Sequence, residues 1–108
     1  MYIRKATLKS LNLDDYYHLA NFVHSLRTHS MYRPIVEDLI AKPGFVKKEY
    51  IMQDTKEGQT FFSLIAFENK ESFDVYMNEE SSQSLWVYLE IMATQENISF
   101  QVDDYETT

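Results

Sequence analysis

The stretch Thr60–Glu68, TFFSLIAFE, decides the fold because a β-strand with this sequence is apolar on both faces. Successive side chains of a strand point to opposite faces, so its residues separate into two sets. One face carries Phe61, Ser63, Ile65 and Phe67, and the other carries Phe62, Leu64 and Ala66. Helices of the same chain can cover one face, whereas the other requires a second sheet. We therefore predict a homodimer that supplies this sheet.

The segment before this strand predicts its hairpin partner. Phe45–Asp54 is rich in strand-forming residues, and a short polar loop, Thr55–Gln59, separates it from Thr60–Glu68. Gly58 lies in this loop and can adopt the positive φ that a tight turn needs. We expect the two segments to form an antiparallel hairpin in the middle of the chain.

The first part of the chain predicts one strand and a broken helix. Tyr2–Leu11 is strand-forming, and Asp14 can cap a helix that follows it. The helical pattern loses its phase around Thr28–Arg33. Pro34 disfavours helical geometry in the preceding residue and suits the first turn of a new helix, so we expect a break or kink there. The second helical piece is expected to stop at Lys42-Pro-Gly44.

The last part of the chain predicts a second helical region and a final strand. Asn69 is a candidate N-cap, and a polar stretch, Asn78–Ser84, is expected to interrupt the helix that it starts. Helix resumes at Leu85 with apolar residues at helical spacing and ends at Asn97. Alternating residues in Ile98–Tyr105 indicate the last strand.

These elements follow the order β-α-β-β-α-β in one domain spanning residues 1–108. Each helix must return to its own sheet by a right-handed crossover, so the simplest fold is a four-stranded antiparallel sheet with both helices on one face. This is the α+β ferredoxin-like arrangement. Only the tail, Glu106–Thr108, is expected to fray.

The composition excludes several classes of partner. The chain has 17 acidic and 10 basic residues, a formal net charge of -7, which repels nucleic acids and anionic membrane surfaces. It has no cysteine, so neither disulfides nor a thiolate nucleophile are available, and we expect a cytoplasmic protein. No apolar run approaches the ~20 residues that span a bilayer.

RNA-recognition motifs share this order of elements, and Phe62–Phe67 followed by Glu68–Glu71 has a slight similarity to them. The segment lacks the basic residue and the glycines of that motif, and the negative net charge opposes contact with phosphates. The sequence therefore disfavours a nucleic-acid partner.

Three segments carry a resemblance to a known family: KPGFVKKEYI from Lys42, TFFSLIAFE from Thr60 and NKESFD from Asn69. Together they resemble the antibiotic biosynthesis monooxygenase domain of the dimeric α/β barrels. The resemblance extends over about Ala41–Tyr76, and it implies two sheets packed face to face with a cavity between each sheet and its helices. Many members of this family carry tryptophan where this chain has Phe67.

The resemblance implies a cofactor-independent monooxygenase that acts on a hydrophobic, electron-rich small molecule. A non-catalytic ligand-binding or structural dimer module of the same fold is the alternative. We expect no organic cofactor, because the chain has two glycines and no nucleotide-binding glycine motif. A haem-degrading member would need an axial ligand on the second helix, and Lys70–Asn97 contains no histidine.

Four aromatic residues are candidates for binding a flat hydrophobic ligand: Tyr50, Phe67, Tyr76 and Trp86. Aromatic residues at strand and helical spacing also occur as ordinary core packing, and the sequence leaves both interpretations open for each of them.

Two residues of the first helix are candidates for catalysis. His24 adjoins the apolar stripe and is a candidate base, while Asn21 is a candidate for orienting a carbonyl or dioxygen. A partly buried structural histidine and a solvated asparagine are the alternatives. The three histidines, His18, His24 and His29, lack the i, i+4 spacing of a helical metal site, so we expect no metal.

Overall fold

The computed structural model describes residues 1–56 and 58–107, which form four strands and four helices. The elements are β1 (Tyr2–Ser10), α1 (His18–Thr28), α2 (Tyr32–Ile40), β2 (Phe45–Thr55), β3 (Gly58–Phe67), α3 (Lys70–Met77), α4 (Glu80–Gln95) and β4 (Ile98–Glu106). The sheet order is β2-β3-β1-β4, and all three strand pairs are antiparallel. This topology confirms the predicted ferredoxin-like fold.

The central hairpin forms as predicted but with a tighter turn. Pairing between β2 and β3 continues to Thr55 opposite Gly58, and Gly58 adopts a φ of 120°. Glu57, which the predicted loop included, lies outside the described residues. At the other end of the hairpin, an irregularity between Phe45 and Lys47 shifts the register. As a result, Tyr50 lies opposite Ser63 on the face that the helices cover.

Two clusters of buried side chains join this face to the helices. The first cluster comprises Ala6, Leu8, Leu19, Phe22, Val23, Ala93 and Ile98. The second cluster comprises Leu39, Ile65, Phe67, Phe73 and Tyr76. Because both clusters contain residues of the sheet and residues of the helices, all the helices lie on one face, as the sequence predicted.

The break between α1 and α2 agrees with the prediction, but α1 begins later than predicted. Helix α1 starts at His18 instead of Asp14, because the preceding residues form turns. The hydroxyl of Tyr16 donates to Asp54 Oδ1 at 2.6 Å, which ties Tyr16 to the end of β2 instead of to a helix. Pro34 lies in the first turn of α2, where a missing amide breaks no helical hydrogen bond.

The second helical region is less interrupted than predicted. The side chain of Asn69 accepts a hydrogen bond from the Ser72 amide at 2.9 Å, which confirms the predicted N-cap. Only Asn78 and Glu79 separate α3 from α4, so most of the polar stretch Asn78–Ser84 is helical. The junction is held by Lys42, whose Nζ lies 2.7 Å from a carboxylate oxygen of Glu79.

The predicted fraying of the tail is wrong for the described residues. Glu106 pairs with Tyr2 at the end of β4, and the Thr107 amide donates to the carbonyl of Met1 at 2.8 Å. Thr108 lies outside the described residues. None of the helices within the described ranges has the length and apolar character that crossing a bilayer requires.

The opposite face of the sheet, here called the open face, presents apolar side chains that no described helix covers. Phe62 and Leu64 are half-buried there, and Ile51, which lies opposite Phe62, is 48% exposed. Tyr105 of β4 is 39% exposed on the same face. The predicted two-sided apolar character of β3 is therefore confirmed.

Candidate functional site

A cleft of about 890 Å³ lies between the sheet and the helices. Residues of all four strands form its floor, because the register turns alternate side chains of each strand towards the helices. Helix α1 packs against α2, and α3 packs against α4, and residues from both helix pairs form the walls. Apolar side chains dominate the lining, including Leu26, Ile35, Phe61, Leu85, Leu89 and Met92.

Tyr76 and Trp86 form one wall of the cleft. The indole Nε1 of Trp86 donates a hydrogen bond to the Tyr76 hydroxyl at 3.0 Å. Tyr76 is 4% exposed, and burial raises its pKa above the ordinary tyrosine value, although hydrogen bonds from Trp86 and Ser82 oppose the rise. The Tyr76 hydroxyl therefore stays protonated at neutral pH.

Arg4 of β1 contacts this wall from the sheet. Its guanidinium makes a two-point contact with the Asp104 carboxylate, at 2.8 and 2.9 Å. The same group lies 4.8 Å from the ring centroid of Trp86 and 5.2 Å from that of Phe73. Because Arg4 is fixed by Asp104, it also restrains the plane of the Trp86 ring.

Tyr50 lines the cleft from β2 and is 44% exposed. The guanidinium of Arg27 lies 4.5 Å from its ring centroid, and Nζ of Lys48 lies 5.1 Å from it. The structure thus brings three of the four predicted aromatic residues, Tyr50, Tyr76 and Trp86, to one cavity.

Phe67 is not among the residues that line the cleft. Its side chain is 0% exposed, and its ring packs within 5.9 Å, between centroids, of Phe45, Phe73 and Tyr76. Phe67 therefore occupies the core, in the same cluster as Leu39, Ile65 and Tyr76, which do line the cleft. The core-packing interpretation describes its position.

The two predicted catalytic residues lie outside the large cleft. His24 is exposed on α1 and lines neither cavity. Asn21 lines a separate groove of about 520 Å³ between α1 and α4, together with His18 and Ser25. In a helix that turns about 100° per residue, Leu19 and Val23 point towards the sheet, so Asn21 and His24 point elsewhere.

Four polar residues that line the cleft were not among the predicted site residues: Arg27, His29, Lys48 and Ser63. His29 ends α1 and lines both cavities. Its Nδ1 accepts the Met31 amide at 3.1 Å, so the neutral ring carries its hydrogen on Nε2 and can donate there. A sequence signal existed for Lys48, because it lies two residues before Tyr50 on the same strand face.

Across residues 1–56 and 58–107, no three histidine, aspartate or glutamate side chains come together as they would around a metal ion. The cleft is lined by aromatic rings, hydroxyls, nitrogen donors and the carboxylate of Asp38.

The sheet topology and the cleft define a class of protein, the α+β ferredoxin-like proteins with a ligand-sized cavity between the sheet and the helices. No protein-family model matches the sequence, and no curated protein has significant similarity to it.

Solved structures share this fold along nearly the whole chain. One is a Deinococcus radiodurans protein assigned to the antibiotic biosynthesis monooxygenases, with a TM-score of 0.60 and 14% identity, covering 100% of this chain and 93% of that chain. Another is SnoaB, a cofactor-independent oxygenase from Streptomyces nogalater, with a TM-score of 0.59 and 9% identity, covering 98% of this chain and 92% of that chain.

A third is a dimeric ferredoxin-like protein from an uncultured marine organism, with a TM-score of 0.60 and 13% identity, covering 96% of this chain and 89% of that chain. The monooxygenase ActVA-Orf6 of Streptomyces coelicolor, solved in complex with nanaomycin D, also has this fold (TM-score 0.55, 12% identity). These structures confirm the resemblance to the antibiotic biosynthesis monooxygenases at the level of the fold. Identities this low leave activity open, because one fold supports many functions.

Proposed function

We propose that the protein is a cofactor-independent monooxygenase-like protein that binds a hydrophobic, electron-rich small molecule in the large cleft. The observation that carries the proposal is the cleft itself, whose volume of about 890 Å³ falls within the range of small-molecule sites. Its mainly apolar lining contains a small number of polar groups, which is typical of such sites.

The chemistry of the lining suits a flat aromatic ligand. An oxygenase without metal or flavin depends on a substrate that supplies its own electrons to dioxygen, and on a site that excludes water. Trp86 and Tyr76 offer a rigid aromatic wall, and Tyr50 offers a second aromatic surface. The shared fold with SnoaB, a cofactor-independent oxygenase, and with ActVA-Orf6, a monooxygenase complexed with nanaomycin D, supports the same interpretation.

The catalytic roles of His24 and Asn21 stay predictions. Because neither residue lines the cleft, a ligand bound there would touch them only after a movement of α1. We propose that His29 is the histidine that faces the ligand, because it lines the cleft and presents Nε2 as a donor. A donor at this position could stabilise negative charge that develops on a substrate oxygen.

A non-catalytic ligand-binding or structural dimer module is the second candidate. The observation that favours it is that the predicted catalytic residues of α1, His24 and Asn21, do not line the cleft. Either candidate requires a homodimer, which the uncovered apolar open face supports, as does the similarity to a dimeric ferredoxin-like protein. The cytoplasmic location stays a prediction from the cysteine-free composition.

Fluorescence of Trp86, the chain's single tryptophan, tests the proposal directly because this residue lines the cleft. Quinols, flavonoids and polyketide-like compounds are expected to quench it in a saturable manner. If the protein converts one of the quinols, the reaction should also consume dioxygen. With isotopically labelled dioxygen, one labelled oxygen atom should then be incorporated into the product.

Saturable quenching without oxygen uptake for any of these compounds would favour the ligand-binding module. Absence of quenching for all of them, with no change in melting temperature, would contradict a ligand site in the cleft and leave the structural module.

A further inference from the structure

Two cations, Arg27 and Lys48, line the cleft, and neither has an acidic partner in the part of the chain that the structure describes. Both side chains approach the Tyr50 ring: the Arg27 guanidinium lies 4.5 Å and Lys48 Nζ lies 5.1 Å from its centroid. Within residues 1–56 and 58–107, neither side chain forms an ion pair with a carboxylate. Nζ of Lys48 donates a hydrogen bond to the Tyr32 hydroxyl at 3.3 Å.

Position in the cleft, and not the lack of an acidic partner alone, distinguishes Arg27 and Lys48 from other cations. Lys5, Lys9 and Lys56 form no ion pair within residues 1–56 and 58–107 either, whereas the five other cations of the described residues pair with carboxylates. These cations are Arg4, Arg33, Lys42, Lys47 and Lys70. An anion bound at Arg27 and Lys48 can form charge-assisted hydrogen bonds with both cations without displacing a carboxylate of the described residues.

The other polar groups at the cleft are compatible with an anion. His29 presents Nε2 as a donor, because Nδ1 is occupied by the Met31 amide. One carboxylate, Asp38, also lines the cleft, but Nζ of Lys42 lies 3.3 Å from it and compensates its charge. The unpaired charge at the cleft is therefore positive.

We propose that the natural ligand is an amphipathic anion, with an aromatic body against Trp86 and Tyr76 and a carboxylate or ionised phenol between Arg27 and Lys48. This inference rests on the proposed function, since it requires the cleft to be the ligand site, and it adds the charge of the substrate. Arg27 and Lys48 are then specificity-determining residues.

Two fluorescent probes with the same aromatic skeleton test the inference. Anilinonaphthalene sulfonate is an anion, and phenylnaphthylamine lacks the sulfonate and is neutral. We expect Arg27→Gln and Lys48→Met each to weaken the binding of the anionic probe about tenfold, the size of one charge-assisted hydrogen bond. The affinity for the neutral probe should change by less than about fivefold. Added salt should weaken the binding of the anionic probe only.

Two control variants remove the same charge elsewhere. Lys5→Met removes a cation from the open face, where Nζ lies 4.5 Å from the Phe62 ring centroid. Arg33→Gln removes an exposed cation of α2 that pairs with Glu37 at 2.8 Å. Neither control should alter the affinity for the anionic probe, and circular dichroism spectra should show that all four variants fold.

The possible results separate the two proposals. If the neutral probe binds but the anionic probe is unaffected by Arg27→Gln and Lys48→Met, the anion site is wrong and the cleft stands. Equal losses in Lys5→Met would assign the anion to the open face or to overall charge, and would also overturn the inference. If neither probe binds the wild-type protein, both the inference and the proposed ligand cleft fail.

Discussion

At the level of single residues, contacts on two sides fix the position of Trp86. The Tyr76 hydroxyl accepts its indole N–H, and the Arg4 guanidinium lies 4.8 Å from its ring centroid, itself held by Asp104. A ligand that stacks on Trp86 therefore meets a ring that is already oriented, which reduces the entropy lost on binding. The remaining face of the ring is accessible, because Trp86 is only half-buried.

Truncation of Trp86 should weaken ligand binding more than folding. Phe67→Ala is the matched control, since Phe67 is fully buried, and it should lower the free energy of unfolding by about 3–5 kcal/mol. Trp86→Ala should lower it by less, because part of the side chain already contacts the cleft. Urea denaturation and titration with phenylnaphthylamine measure the two effects. Unchanged probe affinity in Trp86→Ala, with a loss of stability equal to that of Phe67→Ala, would assign Trp86 to the core.

At the level of elements, the sequence predicted the order of strands and helices because periodicity and capping are local. Alternation along β3 separated its two faces correctly, but it could not distinguish Phe67, which α3 covers, from Phe61, which lines the cleft. How deeply each residue of a strand is buried depends on where the helices cross the sheet. The start of α1 was missed for a similar reason, since Tyr16 bonds to Asp54, a partner 38 residues away.

The N-cap of α3 should have a measurable effect on stability. Asn69→Ala removes the acceptor of the Ser72 amide, and we expect it to lower the free energy of unfolding by about 1 kcal/mol. Asn78→Ala at the other end of α3 is the control, because its side chain makes no hydrogen bond among the described residues, and it should be nearly neutral. Equal effects of the two variants in chemical denaturation would contradict the capping role.

At the level of the whole molecule, the two faces of the sheet differ in what covers them. The face towards the helices forms the core and the cleft, while the open face presents Phe62, Leu64 and Ile51 without a cover in the described chain. Candidate site residues were harder to predict than the fold, because a cavity is made by elements distant in sequence. Arg27 and Lys48, which face Tyr50 from different elements, illustrate this limit of local patterns.

The wild-type protein should be a dimer in light scattering at micromolar concentration. Leu64→Glu should yield a monomer, because burying an unpaired charge in the interface costs several kcal/mol, roughly 3–5. Gln95→Glu, which adds the same charge at the groove between α1 and α4, is the control and should remain dimeric. A wild-type monomer, or a dimer that persists in Leu64→Glu, would exclude association through the open face.

The irregularity between Phe45 and Lys47 bears on how this protein behaves at high concentration. It interrupts β2 at one border of the sheet, and Asp103 and Glu106 place negative charges along β4 at the other border. Interrupted or charged borders resist the strand-to-strand stacking that builds fibrils. Although the sheet is rich in aromatic residues, concentrated solutions should therefore contain discrete particles and form no amyloid.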